Sequence, residues 1–200
     1  MMIKLTAYCA AILASFAAAA ASYTVETERY QSSYPQHYRQ KIDVYLPKGK
    51  GPEVGMLIIH GGAWRTGTRA QMAPIGRFYA ERKIVVGAPD YKLSDGEGTG
   101  DQVVQMLAEV QDALNHMTDK YPDVLRWYVA GHSAGGHLAG YLFATNTQLA
   151  GLVSLDSAAT YIPDLPIAYK RRVTRPTFRI DQELESSPLY HLRNIGSHSG

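Results

Sequence analysis

The hexapeptide Gly131-His132-Ser133-Ala134-Gly135-Gly136 constrains the fold more than any other part of the sequence. It matches the pattern G-x-S-x-G and lies between a short apolar segment, 126–130, and a segment with one apolar face. At such a junction the chain must make a tight, strained turn that holds the serine oxygen clear of the sheet, and glycines let neighbouring backbone pass close by. The free N–H groups at the start of the next helix would face a developing oxyanion. The motif therefore predicts a nucleophile elbow with Ser133 as the attacking residue.

A glycine-rich turn with an ordinary serine and a phosphate-binding loop are the two alternatives. A Walker-type loop requires Gly-Lys-Ser/Thr, which the motif lacks, and Gly131-x-x-x-Gly135 does not have the spacing of dinucleotide-binding loops. The nucleophile elbow is the favoured interpretation.

The segments around this motif alternate between strand and helix patterns. Continuous or alternating apolar residues predict strands at 41–46, 54–59, 83–88, 126–130 and 149–155. Helices are predicted at 72–82, along an apolar stripe from Val103 to Met117, and after Ser133. This alternation is typical of an α/β fold with a mostly parallel sheet and helices on both faces. The polar segment 23–40 has no clear pattern, so we assign it no structure.

A second motif, His60-Gly61-Gly62-Ala63-Trp64, follows the apolar strand 54–59. Loops of this H-G-G type supply backbone N–H groups to the oxyanion hole of lipases and esterases, and glycine is needed there because backbone must approach the substrate carbonyl. We interpret His60 as a brace for the loop rather than as a catalytic base. Trp64 is either a pocket wall or a packing residue, and the sequence does not decide between them.

Residues 1–21 have the features of a secretory signal peptide. A basic start precedes the apolar stretch 5–16, and the alanines of 17–21 supply small residues for cleavage before Ser22. We expect a domain of residues 22–200 that is secreted or periplasmic, with no membrane span after cleavage; a retained anchor is the alternative. Cys9 is the only cysteine and lies inside this segment, so the mature chain would have no disulfide, catalytic thiolate or cysteine-based metal site.

The composition indicates one globular domain. The formal net charge is only +2, and the one basic cluster, 170–172, is typical of a solvated surface. We therefore expect no nucleic-acid partner. Nothing in the sequence indicates the oligomeric state.

The motifs together resemble the esterase branch of the α/β-hydrolases, which includes hormone-sensitive-lipase-like esterases, feruloyl-esterase-like bacterial carboxylesterases and kynurenine formamidase. The resemblance covers roughly residues 41–193. It is carried by Asp43-Val44-Tyr45-Leu46-Pro47, His60-Gly61-Gly62-Ala63-Trp64 with Gly67, Asp90-Tyr91-Lys92-Leu93, Gly131-His132-Ser133-Ala134-Gly135-Gly136-His137-Leu138-Ala139 and Ser187-Pro188-Leu189.

This resemblance implies a serine carboxylesterase that works through an acyl-enzyme. Ser133 would be the nucleophile, and the N–H groups of Gly61, Gly62 and Ala134 would form the oxyanion hole. The substrates would be small acyl or aryl esters, and no cofactor or metal would be used.

The base and the acid of the catalytic triad are not identified. In this fold the chain order is Ser, then Asp or Glu, then His, and the resemblance places both partners after the Ser187-Pro188 region. The sequence stops at Gly200, so we expect the last strands of the fold to be missing and both residues to lie beyond that position. Within the chain, weaker candidates are Asp156 as the acid and His191 or His198 as the base, whereas His137 is expected to pack or cap its helix.

Three functions therefore remain open: an active serine esterase, an inactive fragment or pseudoenzyme that keeps the fold, and an amide hydrolase of the arylformamidase kind that uses the same residues.

Overall fold

A computed structural model describes residues 22–97, 101–157 and 159–195. The predicted signal peptide of residues 1–21 lies outside these ranges. Within them, no helix combines the length and the apolar character that crossing a membrane requires.

Six strands form a single sheet in the order β1-β2-β4-β3-β5-β6. Their bounds are β1 (Tyr23–Arg29), β2 (Lys41–Pro47), β3 (Val54–Ile59), β4 (Ile84–Pro89), β5 (Arg126–His132) and β6 (Leu149–Leu155). Strands β4, β3, β5 and β6 are parallel to one another, whereas β2 is antiparallel to both of its neighbours, β1 and β4. The predicted α/β class with a mostly parallel sheet is confirmed.

All five predicted strands are present within two residues of their predicted bounds, and β1 is an addition. Its side chains are mostly exposed, because it pairs only with β2 at one edge of the sheet. A strand that is solvated on both faces needs no alternation of apolar and polar residues, so residues 23–29 carried no detectable pattern.

Helices cover both faces of the sheet. The α-helices are α1 (Ala73–Ala80), α2 (Asp101–Lys120), α3 (Ala134–Thr145), α4 (Ile167–Tyr169) and α5 (Pro188–Ile195), and α4 continues into a π-helical turn, Lys170–Thr174. Short 3-10 turns occupy Arg69–Met72, Ile162–Asp164 and Ile180–Gln182. The predicted helix 72–82 is thus a 3-10 turn followed by α1, and Pro74 in the first turn of α1 is compatible with a helix start.

The larger core lies between the sheet and helices α2 and α3. Leu57, Val129, Val110 and Leu138 are almost completely buried in it. Burying an aliphatic side chain of this size contributes about 1.5–3 kcal/mol to folding. A smaller core lies on the other face, where Tyr45, Ile58 and Val86 pack with residues around α1.

The parallel register brings two loops together at one edge of the sheet. Ile59, the last residue of β3, lies opposite Gly131 near the end of β5, and His132 lies opposite Leu155 at the end of β6. The loops that follow β3, β5 and β6 therefore leave the sheet side by side, which is where open α/β sheets bind ligands.

Strand β6 leaves an apolar surface exposed on the α1 side of the sheet. Val153 and Leu155 are 41% and 49% exposed, and they line a groove of about 370 Å³ together with Ile75 and Phe78 of α1. β6 is also an edge strand of the described sheet. An edge strand with exposed apolar side chains is a template for association with another chain.

We expect residues 22–200 to self-associate through this surface, and Val153→Lys to reduce the association by placing a charge on the edge strand. Light scattering coupled to size-exclusion chromatography at several protein concentrations measures the effect. Leu125→Lys is the matched control, because Leu125 is 76% exposed but lies outside the groove. Equal effects of the two substitutions, or a concentration-independent monomer in the unmodified chain, would contradict the prediction.

Candidate active site

Ser133 occupies a strained turn between β5 and α3. Its backbone has φ of 53° and ψ of −118°, a left-handed conformation that residues with a side chain rarely adopt. The Ser133 N–H donates to the carbonyl oxygen of Leu155 at 2.8 Å, and the Ser133 carbonyl accepts from the N–H of His137 at 3.1 Å. The turn is therefore held by hydrogen bonds to both β6 and α3, and it has the strained strand-to-helix geometry of a nucleophile elbow.

The elbow needs glycine at two positions because two stretches of main chain approach each other too closely there to leave room for a side chain. A Cβ atom added to Gly131 would overlap the carbonyl group of Gly135, and one added to Gly135 would overlap the carbonyl oxygen of Ile59. The first residues of α3 thus lie against the end of β3. This close approach fixes where the elbow stands relative to the loop after β3.

That loop contains Gly61 and Gly62 and packs directly against the elbow. A Cβ added to Gly61 would lie 2.8 Å from the carbonyl oxygen of His132 and 3.3 Å from the Cβ of Ser133. Gly62 has φ of 120°, and its carbonyl accepts the N–H groups of Arg65 and Thr66 at 3.0 Å each. The loop is a tight turn whose glycines bring main chain up to the serine.

The elbow and the loop border one open depression of about 510 Å³. It is lined by Gly62, Ala63, Arg65, Thr66, His132 and Ser133. Ala134 is the first residue of α3, so its N–H belongs to the group that a helix leaves without an intrahelical acceptor. The structure therefore brings together Ser133, Gly61, Gly62 and Ala134, the four predicted site residues. The arrangement can hold a carbonyl group beside a hydroxyl and stabilise negative charge on its oxygen.

His60 braces the loop from within the protein. Its ring is fully buried and lies on the Tyr91 ring with centroids 4.4 Å apart, and its Nδ1–H donates to the Gly61 carbonyl at 2.7 Å. The Nε2 atom lies 3.8 Å from Asp90 Oδ1 and 3.4 Å from Arg39 Nη2. Burial lowers the pKa of His60, so its ring is neutral near neutral pH.

A buried group of charges surrounds this brace. Asp90 accepts from the Arg69 guanidinium at 2.5 Å and from the Arg69 backbone N–H at 2.7 Å. Arg39 donates to the Gly67 carbonyl at 2.9 Å and to the Tyr91 carbonyl at 2.8 Å. These bonds hold the far end of the loop, at Gly67 and Arg69, to the chain at Asp90 and Tyr91. Arg39 could not be identified from the sequence, because it lies in a segment without a clear pattern. Asp90 was the available signal for this group of charges, since it is a charged residue directly after a buried strand.

His137 lies one turn after Ser133 and is completely buried. It accepts a hydrogen bond from the Trp64 indole N–H at 3.3 Å, and its Nε2 contacts the carbonyl of Ser186 at 2.7 Å. Burial lowers the pKa of His137 to about 4, opposed by the hydrogen bond to Ser186. These contacts agree with the prediction that His137 packs within the fold.

The weaker triad candidates do not contact the serine hydroxyl in the described part of the chain. Asp156 is exposed at the end of β6 and also has a left-handed backbone, with φ of 53°. His191 on α5 contacts the carbonyl of Glu185 at 2.6 Å. His198 lies outside the described residues. The identity of the base and the acid stays a prediction.

No group of three or more His, Cys, Asp or Glu side chains suited to a metal ion is found among residues 22–97, 101–157 and 159–195.

The chain is similar in sequence to a family of hydrolases. Residues 42–162 match the model of the BD-FAE family. An isoprenylcysteine alpha-carbonyl methylesterase from Arabidopsis thaliana is 29% identical over 140 residues, which are 69% of this chain and 33% of the relative. The kynurenine formamidase of Danio rerio is 29% identical over 114 residues, which are 56% of this chain and 38% of the relative. The chain thus spans well under half the length of either curated relative.

The architecture is also similar to a solved esterase. Esterase 2 of Thermogutta terrifontis superposes with a TM-score of 0.66 at 18% sequence identity, covering 84% of this chain and 68% of that one. The likeness supports the assignment of the α/β-hydrolase fold.

We expect the stability of the protein to fall as the pH decreases from about 6.5 to about 4. His137 is neutral when folded, with a pKa of about 4, whereas in the unfolded chain it takes up a proton near pH 6.5. The unfolded state therefore binds more protons than the folded state between these pH values. The resulting decrease in the free energy of unfolding reaches about 3 kcal/mol near pH 4. His60 acts in the same direction.

Urea unfolding at pH values between 4.5 and 7.5 measures this dependence. His137→Gln should make the slope shallower, whereas His191→Gln, at a less buried position, serves as the control. An unchanged slope in His137→Gln would show that another group governs the acid sensitivity.

Proposed function

Because the chain belongs to the BD-FAE family, we propose that it is a serine hydrolase in which the hydroxyl of Ser133 attacks the carbonyl carbon of a carboxylic ester. The observation that carries the proposal is the left-handed backbone of Ser133 at a strand–helix junction, directly against a glycine loop. A strained conformation of a residue with a side chain persists only where the surrounding structure enforces it, and such residues cluster at active sites.

The first step would be acylation. The Ser133 oxygen forms a bond to the carbonyl carbon while a base takes its proton, and the carbonyl oxygen becomes an oxyanion. The N–H groups of Gly61, Gly62 and Ala134 would donate to this oxyanion. The intermediate then collapses, the bond to the leaving oxygen breaks, and the proton passes from the base to the departing alcohol. Water then attacks the carbonyl carbon of the acyl-enzyme by the same two steps, the bond to the Ser133 oxygen breaks, and the carboxylic acid is released.

The positions of the donors favour this use. Gly61 lies against the Ser133 Cβ, and Ala134 is the first residue of α3, at the positive end of the helix dipole. Donors fixed in advance act where charge develops, and removal of one typically costs about a hundred- to a thousandfold in rate. We propose that the base and the acid are supplied from outside the described residues.

The names of the similar proteins favour a substrate with one small substituent at the scissile bond. The names of the two relatives, a methylesterase and a formamidase, each denote a bond with one small group, methyl in the first and formyl in the second. The depression at Ser133 is open to solvent, and Arg65 and Thr66 are among the residues that line it. We therefore propose esters with a short acyl or alkyl group.

An arylformamidase-type activity is the second candidate, and the similarity to kynurenine formamidase favours it. The chemistry at Ser133 would be the same, with an amine as leaving group in place of an alcohol. The test is to measure the hydrolysis rates of an N-formylaniline and of the corresponding phenyl formate. The two substrates share the formyl group and differ in whether an amide or an ester bond is cleaved. Faster turnover of the amide, corrected for its higher intrinsic stability, would favour the second candidate.

Ser133→Ala tests the nucleophile. It should abolish labelling by a fluorophosphonate probe and should reduce hydrolysis of a p-nitrophenyl acetate by about a thousandfold or more, because only binding and oxyanion stabilisation remain. The assay compares Ser133→Ala with the unmodified protein under the same conditions.

Ser157→Ala is the matched control, since Ser157 lies near the start of α3 but outside the elbow. Labelling that survives in Ser133→Ala would refute the nucleophile assignment. Absence of labelling in the unmodified full-length protein would favour the inactive alternative.

A further inference from the structure

The indole of Trp64 connects the glycine loop to the helix that carries the nucleophile. Trp64 lies two residues after Gly62 and is 2% exposed. Its Nε1–H donates to His137 Nδ1 at 3.3 Å, and His137 lies on α3 one turn after Ser133. The bond joins two segments that are 73 residues apart in sequence.

His137 can accept this bond in one protonation state. Its Nδ1 must carry a lone pair, so the proton of the neutral ring is on Nε2, where it donates to the Ser186 carbonyl at 2.7 Å. Both ring nitrogens are therefore used, and the ring cannot rotate without losing a buried hydrogen bond. The imidazole is a fixed acceptor for the Trp64 indole.

Phe178 completes the packing around this bond. Its ring meets the Trp64 ring edge to face with centroids 4.9 Å apart, and it meets the His137 ring in the same way at 5.4 Å. Phe178 is 1% exposed. The three rings form a water-excluded cluster, which we call the Trp64–His137–Phe178 cluster.

The backbone beside this cluster is strained. Ala63 has φ of 49° and Trp64 has φ of 61°, both left-handed values at residues with a side chain. These residues leave the glycine loop directly after Gly62. Without an anchor, the loop would gain by relaxing to ordinary dihedral angles, and that relaxation would move the N–H groups of Gly61 and Gly62.

We propose that Trp64 and His137 are positioning residues that hold the N–H groups of the glycine loop at a fixed distance and orientation from Ser133. The effect of this positioning on catalysis rests on the proposed function. Neither side chain needs to touch the substrate. Trp64 holds the end of the strained loop through its bond to His137. His137 is part of the first turn of α3, and its backbone N–H donates to the Ser133 carbonyl, so the loop and the nucleophile are held by the same residue.

Trp64→Phe is the most selective test, because it keeps a ring in the cluster and removes only the N–H donor and part of the packing. We expect the rate constant of fluorophosphonate labelling to fall about 10- to 100-fold, as a misplacement of the order of 1 Å would produce, with little change in the KM for p-nitrophenyl acetate. Trp127→Phe is the matched control. Trp127 is also buried, but on β5 in the core, and its substitution should lower the melting temperature while labelling stays within about twofold. Labelling of Trp64→Phe at the unmodified rate would overturn the proposal.

A second readout does not depend on activity. In a ¹⁵N-labelled protein, the amide signals of Gly61 and Gly62 should shift and exchange faster with solvent in Trp64→Phe but not in Trp127→Phe. If the unmodified protein is labelled no better than Ser133→Ala, the proposed function fails, and these two amides alone decide the inference. Unchanged Gly61 and Gly62 amides in a folded Trp64→Phe protein would overturn it.

A pair of substitutions at His137 covers the case in which Trp64→Phe does not fold. The amide of His137→Gln can accept from the indole and donate to Ser186, whereas His137→Leu can do neither. We expect the Gly61 and Gly62 amides of His137→Gln to stay closer to those of the unmodified protein. Equal perturbation by the two substitutions would overturn the role of the hydrogen bond.

Discussion

The left-handed backbone of Ser133 is the constraint on which the rest of the site depends. A residue with a side chain adopts φ of 53° only when its neighbours leave no alternative. Here β5 ends at His132, α3 begins at Ala134, and the Ser133 N–H is bonded to the end of β6. The turn is possible because Gly131 and Gly135 let α3 approach the end of β3 without a Cβ between them. The order of strands in the sheet therefore determines where the hydroxyl is held.

The glycine loop after β3 is held by two different kinds of contact. On the inner side, the buried charges of Arg39 and Asp90 anchor the chain: they pair with each other, and Arg39 also donates to the backbone carbonyls of Tyr91 and Gly67. On the side of α3, the anchor is uncharged and consists of the Trp64–His137–Phe178 cluster. A loop that must keep unfavourable dihedral angles needs both, because either end could otherwise relax. Acid weakens the second anchor, since protonation removes the lone pair that His137 offers to Trp64.

The fold and the candidate site were predictable from the sequence to different extents. Buried strands such as 54–59 have continuous apolar runs, so their bounds followed from hydrophobicity alone, whereas β1 is solvated and left no such signal. The proximity of Gly61 and Gly62 to Ser133 and Ala134 was predictable, because both motifs follow parallel strands whose ends meet at one edge of the sheet. The role of Arg39 was not predictable from the sequence. Its partners lie directly after β4 and in the loop after β3, and a contact between such distant segments produces no local sequence pattern.

By itself, the sequence determined the alternation of strands and helices, the α/β class and the position of the strained serine turn, because each follows from local patterns of apolar residues and glycines. The tertiary structure alone decided that Trp64 is a buried residue that donates to His137 rather than a pocket wall, and that the rings of His60 and His137 are completely buried. These properties depend on which side chains the sheet order brings together. Burial and hydrogen-bond partners are set by residues distant in sequence, so only the folded chain specifies them.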